Sequence, residues 1–245
     1  MNKLYEVLAV EQDRKQKINV ELGKLRKNFL NHPEVYDGLV KRYVSLEEDG
    51  EQIPDEERNI SQPLSDDLRQ TLQVFNDGLR ATLQKEETNA GGKARAELRV
   101  DDVSFGQLAA TSLLAIEGQL SKLRDLYQAL PTLDNARRYD FDEQRNLYAT
   151  EPEVKFRTVK RPKVVVKYEA TKEHPAQTEL LNLDAQVGRY ETTYFSSRVS
   201  QSRKQELLDR IDQLLEAVRV ARAKANTAEV IKVTVTDKLL DFINK

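Results

Sequence analysis

The segment KFRTVKRPKVVVK, residues 155–167, decides the fold class, because basic side chains alternate in it with aromatic and β-branched ones. This period of two is typical of a β-strand. Proline lacks a backbone donor, so Pro162 predicts an edge strand or a bend between two strands. Strand-like segments of this kind continue on both sides and form a β-rich insert at about residues 138–197. In it we predict five strands: 147–150, 154–161, 163–168, 177–183 and 189–195.

Long helical patterns flank the insert on both sides. Apolar residues recur there at every third or fourth position, which predicts amphipathic helices. The four predicted helices are residues 3–30, a helix from Ser65 to a break at residues 89–92, residues 106–130, and a helix that begins at Ser200 or Ser202. The third helix carries a heptad-like apolar seam, which fits either a core or an interface between copies.

Grouping of the elements along the chain indicates how they pack. Shorter elements are predicted as strands at 38–46, 95–100 and 230–235 and as a closing helix at 237–244. Because helices and strands are grouped rather than alternating, the expected fold class is α+β, with long amphipathic helices packed with an antiparallel, β-rich insert. We expect a single α+β domain over residues 1–245. Its helical part lies in residues 1–135 and 200–245, and its β-rich subregion lies in residues 138–197.

Composition limits the class of protein. The 245 residues include 39 Lys and Arg against 41 Asp and Glu, a formal net charge of -2, so the surface as a whole is not that of a basic nucleic-acid-binding protein. The chain has no cysteine, which excludes disulfides and thiolate chemistry and fits a reducing compartment. Residues 1–10 are too short an apolar stretch for a signal peptide, and no stretch approaches the roughly 20 apolar residues of a membrane span. We expect a cytoplasmic protein with no membrane partner.

The residue types that carry catalysis occur in no recognisable arrangement. His32 and His174 each precede a proline, so both are expected in loops that bond nearby backbone. The acidic residues 140–143 read as a charged turn between strands, and Gly91–Gly92 lacks the pattern of a phosphate-binding loop. No serine stands in a nucleophile elbow. We therefore expect no catalytic residue, no cofactor and no metal, and we favour a function other than catalysis.

The basic side chains of the segment 155–167 form the candidate interaction surface. In a strand they share one parity and face one side of the sheet. These residues are Lys155, Arg157, Arg161, Lys163 and Lys167. Two interpretations stay open: a face that binds phosphates, or a solvated outer face whose charge is offset by nearby glutamates.

An acidic segment offers the complementary charge. It is a predicted loop over residues 47–58, and its carboxylates form a candidate acidic counter-surface: Glu47, Glu48, Asp49, Glu51, Asp55, Glu56 and Glu57. Oppositely charged segments on one chain can meet within the subunit or between copies in an assembly. The sequence leaves both possibilities open.

Several short motifs carry a family resemblance over essentially the whole chain. The motifs are LAVE at 8–11, YATEP at 148–152, RTVK at 157–160, KYEAT at 167–171 and HPAQ at 174–177. With them, the sequence resembles a family of uncharacterised bacterial proteins of similar length, of the actinobacterial or cyanobacterial type. The resemblance implies a bacterial cytoplasmic protein and transfers no activity to any residue.

Three functions remain open on the sequence alone. The leading hypothesis is a non-enzymatic structural or interaction protein that self-associates into a homo-oligomer, because charge is balanced and complementary segments are present. The alternative is a binding module for nucleic acid or another polyanion through the basic strand face. The third is an enzyme whose site uses carboxylates that no motif identifies.

Overall fold

The computed structural model of the protein describes residues 4–169, 174–228 and Val235. Contacts between Cα atoms divide the chain into two compact units. The helical unit draws on residues 1–28, 69–130 and 202–245, and the β unit draws on residues 29–68 and 131–201.

The described residues form four α-helices, one 3-10 turn and eight strands, and all strand pairs within the sheets are antiparallel. The helices are α1 Leu4–Asn31, α2 Leu64–Asn89, α3 Ala110–Gln128 and α4 Gln201–Ala225, with the 3-10 turn at Pro33–Tyr36. The strands are β1 Asp37–Ser45, β2 Glu56–Arg58, β3 Arg95–Val100, β4 Val103–Ala109, β5 Asp140–Asp142, β6 Leu147–Ala149, β7 Glu153–Tyr168 and β8 Gln177–Ser196. The predicted α+β class is confirmed.

The core of the helical unit lies between α3, α4 and the β3–β4 hairpin. Leu113 and Leu120 of α3 are buried in one cluster with Leu215 and Val218 of α4, and Leu98 of β3 joins them. These residues recur at helical spacing on α3 and α4 and at alternate positions on β3, so each element buries one face. The heptad-like seam of the third helix is therefore core.

Helices α1 and α2 approach each other closely within the same unit. A Cβ placed on Gly78 of α2 would lie 2.4 Å from Cδ1 of Ile18 and 3.1 Å from the carbonyl oxygen of Arg14, both on α1. Ile18 is almost fully buried. The absence of a side chain at Gly78 thus lets Ile18 fill the space against α2.

One six-stranded sheet forms the centre of the β unit. Its order is β2-β1-β8-β6-β5, and β7 also pairs with β8. β8 is therefore the central strand, with β1 along one side and β6 and β7 along the other. The sheet joins the β-rich insert to β1 and β2, which lie more than 80 residues earlier in the sequence.

Arg198, just after β8, ties the ends of several segments together. Its Nη2 donates to the carbonyl oxygen of Pro33 at 3.0 Å and pairs with the Asp37 carboxylate, and its Nη1 donates to the carbonyl oxygen of Thr132 at 3.4 Å. The Ser196 hydroxyl donates to Asp37 at 2.9 Å. Both charged side chains are largely buried, so this cluster fixes the start of β1 against the end of β8.

Among the local predictions that were wrong, four have the following physical reasons. Residues 106–109 belong to β4 and not to the third helix, because Gly106 has a φ of +90° and carries an irregularity in the β3–β4 ladder. Residues 56–58 of the predicted acidic loop form β2, because β1 offers them a free edge. β7 continues through Pro162 as one strand, since it lies at the edge of the sheet, where a missing donor disrupts no ladder. β8 is also one strand through residues 183–189, because residues 184–186 pair with β7 and Gly188 pairs with both β1 and β7.

The strand predicted at 230–235 and the helix predicted at 237–244 lie outside the described residues apart from Val235.

Candidate interaction surface

A two-stranded ribbon extends from the β sheet. Residues 188–196 of β8 pair with β1, whereas residues 177–186 pair only with β7 among the described strands. We call residues 158–168 of β7 and 177–186 of β8 the ribbon. At about 3.3 Å per residue it is roughly 30 Å long. Val187 has no partner on β7, and this bulge marks the root of the ribbon.

The ribbon and its root expose an unusual share of large apolar side chains. Of 22 exposed large hydrophobic residues in the described chain, nine lie on β7 and β8: Val154, Phe156, Val159, Val164, Val166, Tyr168, Leu180, Leu181 and Leu183. An isolated two-stranded hairpin is marginally stable in water. Apolar side chains concentrated on such an element are typical of a surface that another molecule covers.

Alternation along β7 divides these side chains between two faces. The register sets Arg161 opposite Leu183 and Lys163 opposite Leu181, so these four residues share one face with Arg157 and Val159. We call it the loop face. The register sets Lys160 opposite Asp184 and Val164 opposite Leu180 on the other side, with Phe156 and Val166. We call this the open face.

The predicted basic and acidic segments meet within one chain, on the loop face. Nη1 of Arg157 lies 2.6 Å from Oε2 of Glu51, and Nη2 of Arg161 lies 2.5 Å from Oε1 of Glu47. The hydrogen bond to Glu51 raises the pKa of Arg157 above its ordinary value, and the Glu51 charge adds to this. Lys167 pairs across the ribbon with Glu179, at 2.6 Å. Three of the five candidate basic residues thus have carboxylate partners of their own.

Of the other candidate residues, two pair with basic side chains of β1 and the rest make no ion pair with the described residues. Asp55 accepts from Arg42, and Glu56 accepts from Lys41, each at 3.1 Å. The remaining candidates make no ion pair within the part of the chain that the structure describes: Lys155, Lys163, Glu48, Asp49 and Glu57. All these pairs are partly solvated, and exposed pairs contribute about 0–1 kcal/mol each. Glu47 and Glu51 therefore lie over the loop face without stabilising it strongly.

An aromatic contact fixes the root of the ribbon. The rings of Tyr43 on β1 and Tyr190 on β8 lie 5.2 Å apart, and the Arg157 guanidinium lies 5.7 Å from the Tyr43 ring centre. The Tyr43 hydroxyl donates to the carbonyl oxygen of Val187 at 3.3 Å. A Cβ on Gly188 would lie 2.1 Å from the Tyr43 hydroxyl oxygen and 2.3 Å from Cζ. The ring thus occupies the space that a side chain at Gly188 would need.

We expect Gly188→Ala to lower the free energy of unfolding by about 1–3 kcal/mol, because the new methyl group displaces the Tyr43 ring. In the Tyr43→Ala background the same substitution should cost much less, which a double-mutant cycle in urea measures. Gly118→Ala is the control: nothing lies within 4 Å of that site in α3, and we expect a gain of up to about 1 kcal/mol. Equal costs of Gly188→Ala in both backgrounds would contradict the proposed contact.

Two adjoining cavities of about 290 Å³ each lie on the open-face side of the β sheet. They share the side chains of Val40, Arg42, Arg145 and Phe195. Arg42 pairs with Asp55, and Arg145 stacks on Phe195 at 4.8 Å and lies 3.8 Å from the carboxylate of Asp142. Each arginine thus has its own carboxylate.

The two histidines lie apart from these cavities. Nδ1 of His32 lies 3.3 Å from the Glu34 carboxylate on an exposed turn, and His174 lies between β7 and β8. Neither histidine lines either cavity. Across residues 4–169 and 174–228, no group of three or more His, Cys, Asp or Glu residues is placed to hold a metal ion. Within the same ranges, no helix is both long enough and apolar enough to cross a bilayer.

The sequence predicted that the basic residues at odd positions of β7 share one face. It did not identify Lys160 and Asp184, the charged pair of the open face. Lys160 and Asp184 meet only through the β7–β8 register, which no local pattern fixes. The signal that could have found this face is the run of apolar residues at 164–166, which is too apolar for a ribbon solvated on both sides.

Comparison with known proteins identifies a family but no characterised relative. The profile of a family described as "Family of unknown function (DUF7873)" matches residues 1–245. No curated protein and no solved structure matches the chain.

Proposed function

We propose, for a chain that belongs over its full length to the Family of unknown function (DUF7873), a non-enzymatic role as an interaction protein that self-associates into a homo-oligomer. The observation that carries the proposal is the ribbon, which exposes apolar side chains on a two-stranded element. The resemblance to an uncharacterised family is confirmed by the match and supplies no activity of its own.

Association would remove an energetic cost that the isolated chain bears. Burial of a Val or Leu side chain contributes about 1.5–3 kcal/mol, so covering even part of the exposed set would exceed what a few solvated ion pairs supply. Docking also adds packing partners to a two-stranded element that is marginal alone. The apolar residues are therefore the main contribution, and the charged residues set specificity.

Polyanion binding through the basic face is the second candidate. Lys155 and Lys163 favour it, since they make no ion pair with the described residues. However, phosphates on the loop face would have to displace Glu51 from Arg157 and Glu47 from Arg161. The charge available to phosphates is thus lower than the sequence suggests, and self-association ranks first.

A bacterial and cytoplasmic setting is part of the proposal. The absence of cysteine supports a reducing compartment. The motif resemblance supports a bacterial source.

The experiment compares the intact chain with a variant that lacks the ribbon. Residues 158–186 are replaced by Asn-Gly, a two-residue turn that suits antiparallel strands. We expect light scattering on a sizing column to give, for the intact protein, a mass that rises with concentration toward a defined multiple of the chain mass, and for the variant the single-chain mass at every concentration. The double substitution Val103→Ser with Phe105→Ser is the control, because it removes similarly exposed apolar side chains from β4 and should leave the mass unchanged.

Other outcomes of this experiment contradict the proposal. An intact protein that stays monomeric at all concentrations removes self-association. A peak whose absorbance at 260 nm exceeds that at 280 nm moves polyanion binding to first place, and its affinity should then fall steeply with salt. An oligomer that survives removal of the ribbon places the contact elsewhere.

A further inference from the structure

We infer that a second copy of this chain docks on the open face, ribbon against ribbon, about a two-fold axis that runs along the ribbon. The inference rests on the proposed self-association and names its surface and geometry. The two faces of the ribbon differ in exposure.

The open face is the less covered of the two. Phe156, Val164, Val166 and Leu180 on the open face are 53%, 59%, 51% and 64% exposed. On the loop face, Val159, Leu181 and Leu183 are 41%, 39% and 46% exposed. The same chain already places Glu47 and Glu51 against the loop face, so a partner gains more by covering the open face.

Charge then selects the orientation of the second copy. On the open face, Lys160 of β7 lies directly opposite Asp184 of β8. A two-fold axis along the ribbon sets β7 of one copy over β8 of the other. Each residue then faces, in the other copy, the residue that is its cross-strand partner within its own chain. Lys160 of each copy therefore faces Asp184 of the other, which gives two such contacts. A two-fold axis across the ribbon at this pair would instead set Lys160 against Lys160 of the second copy, which is unfavourable.

The same operation matches the apolar side chains. Val164 lies opposite Leu180 in the register, so the two-fold sets Val164 of each copy against Leu180 of the other. Phe156 lies opposite Arg189 in the register, so the two-fold sets the Phe156 ring of each copy against the Arg189 guanidinium of the other. Such a contact between a cation and an aromatic ring is favourable. Face-to-face sheets pack about 10 Å apart, a distance that these side chains span. The open face is thus complementary to itself.

The area sets the expected affinity. With Phe156 included, the open face is about 40 Å long and about 10 Å wide. Treated as flat, it has an area of roughly 400 Å² per copy. A stable interface of standard size buries about 800 Å² per partner. We therefore expect a dimer at the weak end, with a Kd on the order of micromolar, which requires a concentration series from about 1 to 100 μM by sedimentation velocity.

A charge exchange tests the inference. Lys160→Asp sets its new carboxylate against Asp184 of the other copy, and Asp184→Lys sets two ammonium groups together. We expect each variant alone to weaken dimerisation by at least about 100-fold. An equal mixture of the two variants should form a heterodimer, because every contact then joins opposite charges. The double variant should recover the homodimer.

The outcomes separate this inference from the proposed function. Lys163→Asp, on the loop face, is the matched control and should leave the Kd within about threefold, since that side chain lies away from the dimer contact. An intact dimer that is lost on ribbon removal but unaffected by the charge exchange overturns the open-face geometry and keeps the ribbon. Loss of the dimer with Lys163→Asp but not with Lys160→Asp assigns the contact to the loop face. An intact protein that is monomeric overturns both proposals.

Discussion

Leu113→Ala will lower the free energy of unfolding of the helical unit by about 3–5 kcal/mol, whereas Leu114→Ala will change it by less than about 0.5 kcal/mol. The two leucines are adjacent in α3 and chemically identical, but Leu113 is 0% exposed and Leu114 is 55% exposed. Leu113 lies in the cluster that joins α3, α4 and β3. Truncation there leaves a cavity between three elements, which the helices close only in part.

Hydrogen exchange followed by mass spectrometry in a urea series measures this difference, because it reports each unit separately when the two units unfold at different urea concentrations. Peptides from α3 and α4 should lose protection together in Leu113→Ala. Equal effects of the two substitutions would contradict the assignment of the third-helix seam to the core. A change of oligomeric mass in Leu114→Ala would show that the exposed side of α3 is an interface.

Arg198→Ala will lower the free energy of unfolding of the β unit by about 3 kcal/mol. The side chain is mostly buried, and its removal leaves Asp37 without its cation and two carbonyl oxygens, of Pro33 and Thr132, without their donor. An unpaired carboxylate inside a protein costs more than the lost pair contributed.

Arg138→Ala is the control for this prediction. Arg138 is 91% exposed and lies 3.9 Å from Asp140, so we expect a change within about 0.5 kcal/mol. The measurement is the urea dependence of exchange in peptides from β1 and β8. Asp37→Asn in the Arg198→Ala background should recover part of the lost free energy of unfolding, since it removes the unpaired negative charge. The prediction fails if Arg198→Ala is no worse than Arg138→Ala.

Local pattern was sufficient for most of the individual elements. The amphipathic spacing predicts both ends of α1 and α2, and the start of α4, to within a few residues, because one face of each helix is buried. The sequence predicts β1 and β3 to within one residue, since β1 contains Val40, Tyr43 and Val44 and polar and apolar side chains alternate along β3. The charged turn predicted at residues 140–143 lies slightly later: residues 140–142 form β5, and the turn to β6 covers residues 143–146. Asp142 accepts backbone hydrogen bonds from Gln144 and Arg145 in this turn.

Long-range pairing was not accessible from the sequence. Nothing near β1 indicates that its partner is β8, because register depends on side chains from distant segments. For the same reason, the sequence left open whether the acidic segment meets the basic one within the chain, as Glu51 and Arg157 do. The sequence also did not predict that both faces of β7 are exposed. Alternating side chains indicate that a strand has two faces, but not whether another element covers either of them.

The position of β8 has a consequence for synthesis. β1 ends at Ser45 and finds its central partner only at Gly188, about 140 residues later. At roughly 5–20 residues per second, the ribosome needs on the order of 10–30 s to deliver that partner. The helical unit also waits, since Ile211, Leu215 and Val218 of α4 complete its core. Neither unit can complete its core before part of the last quarter of the chain has been synthesised, so we expect the apolar faces of the earlier elements to stay exposed during most of synthesis.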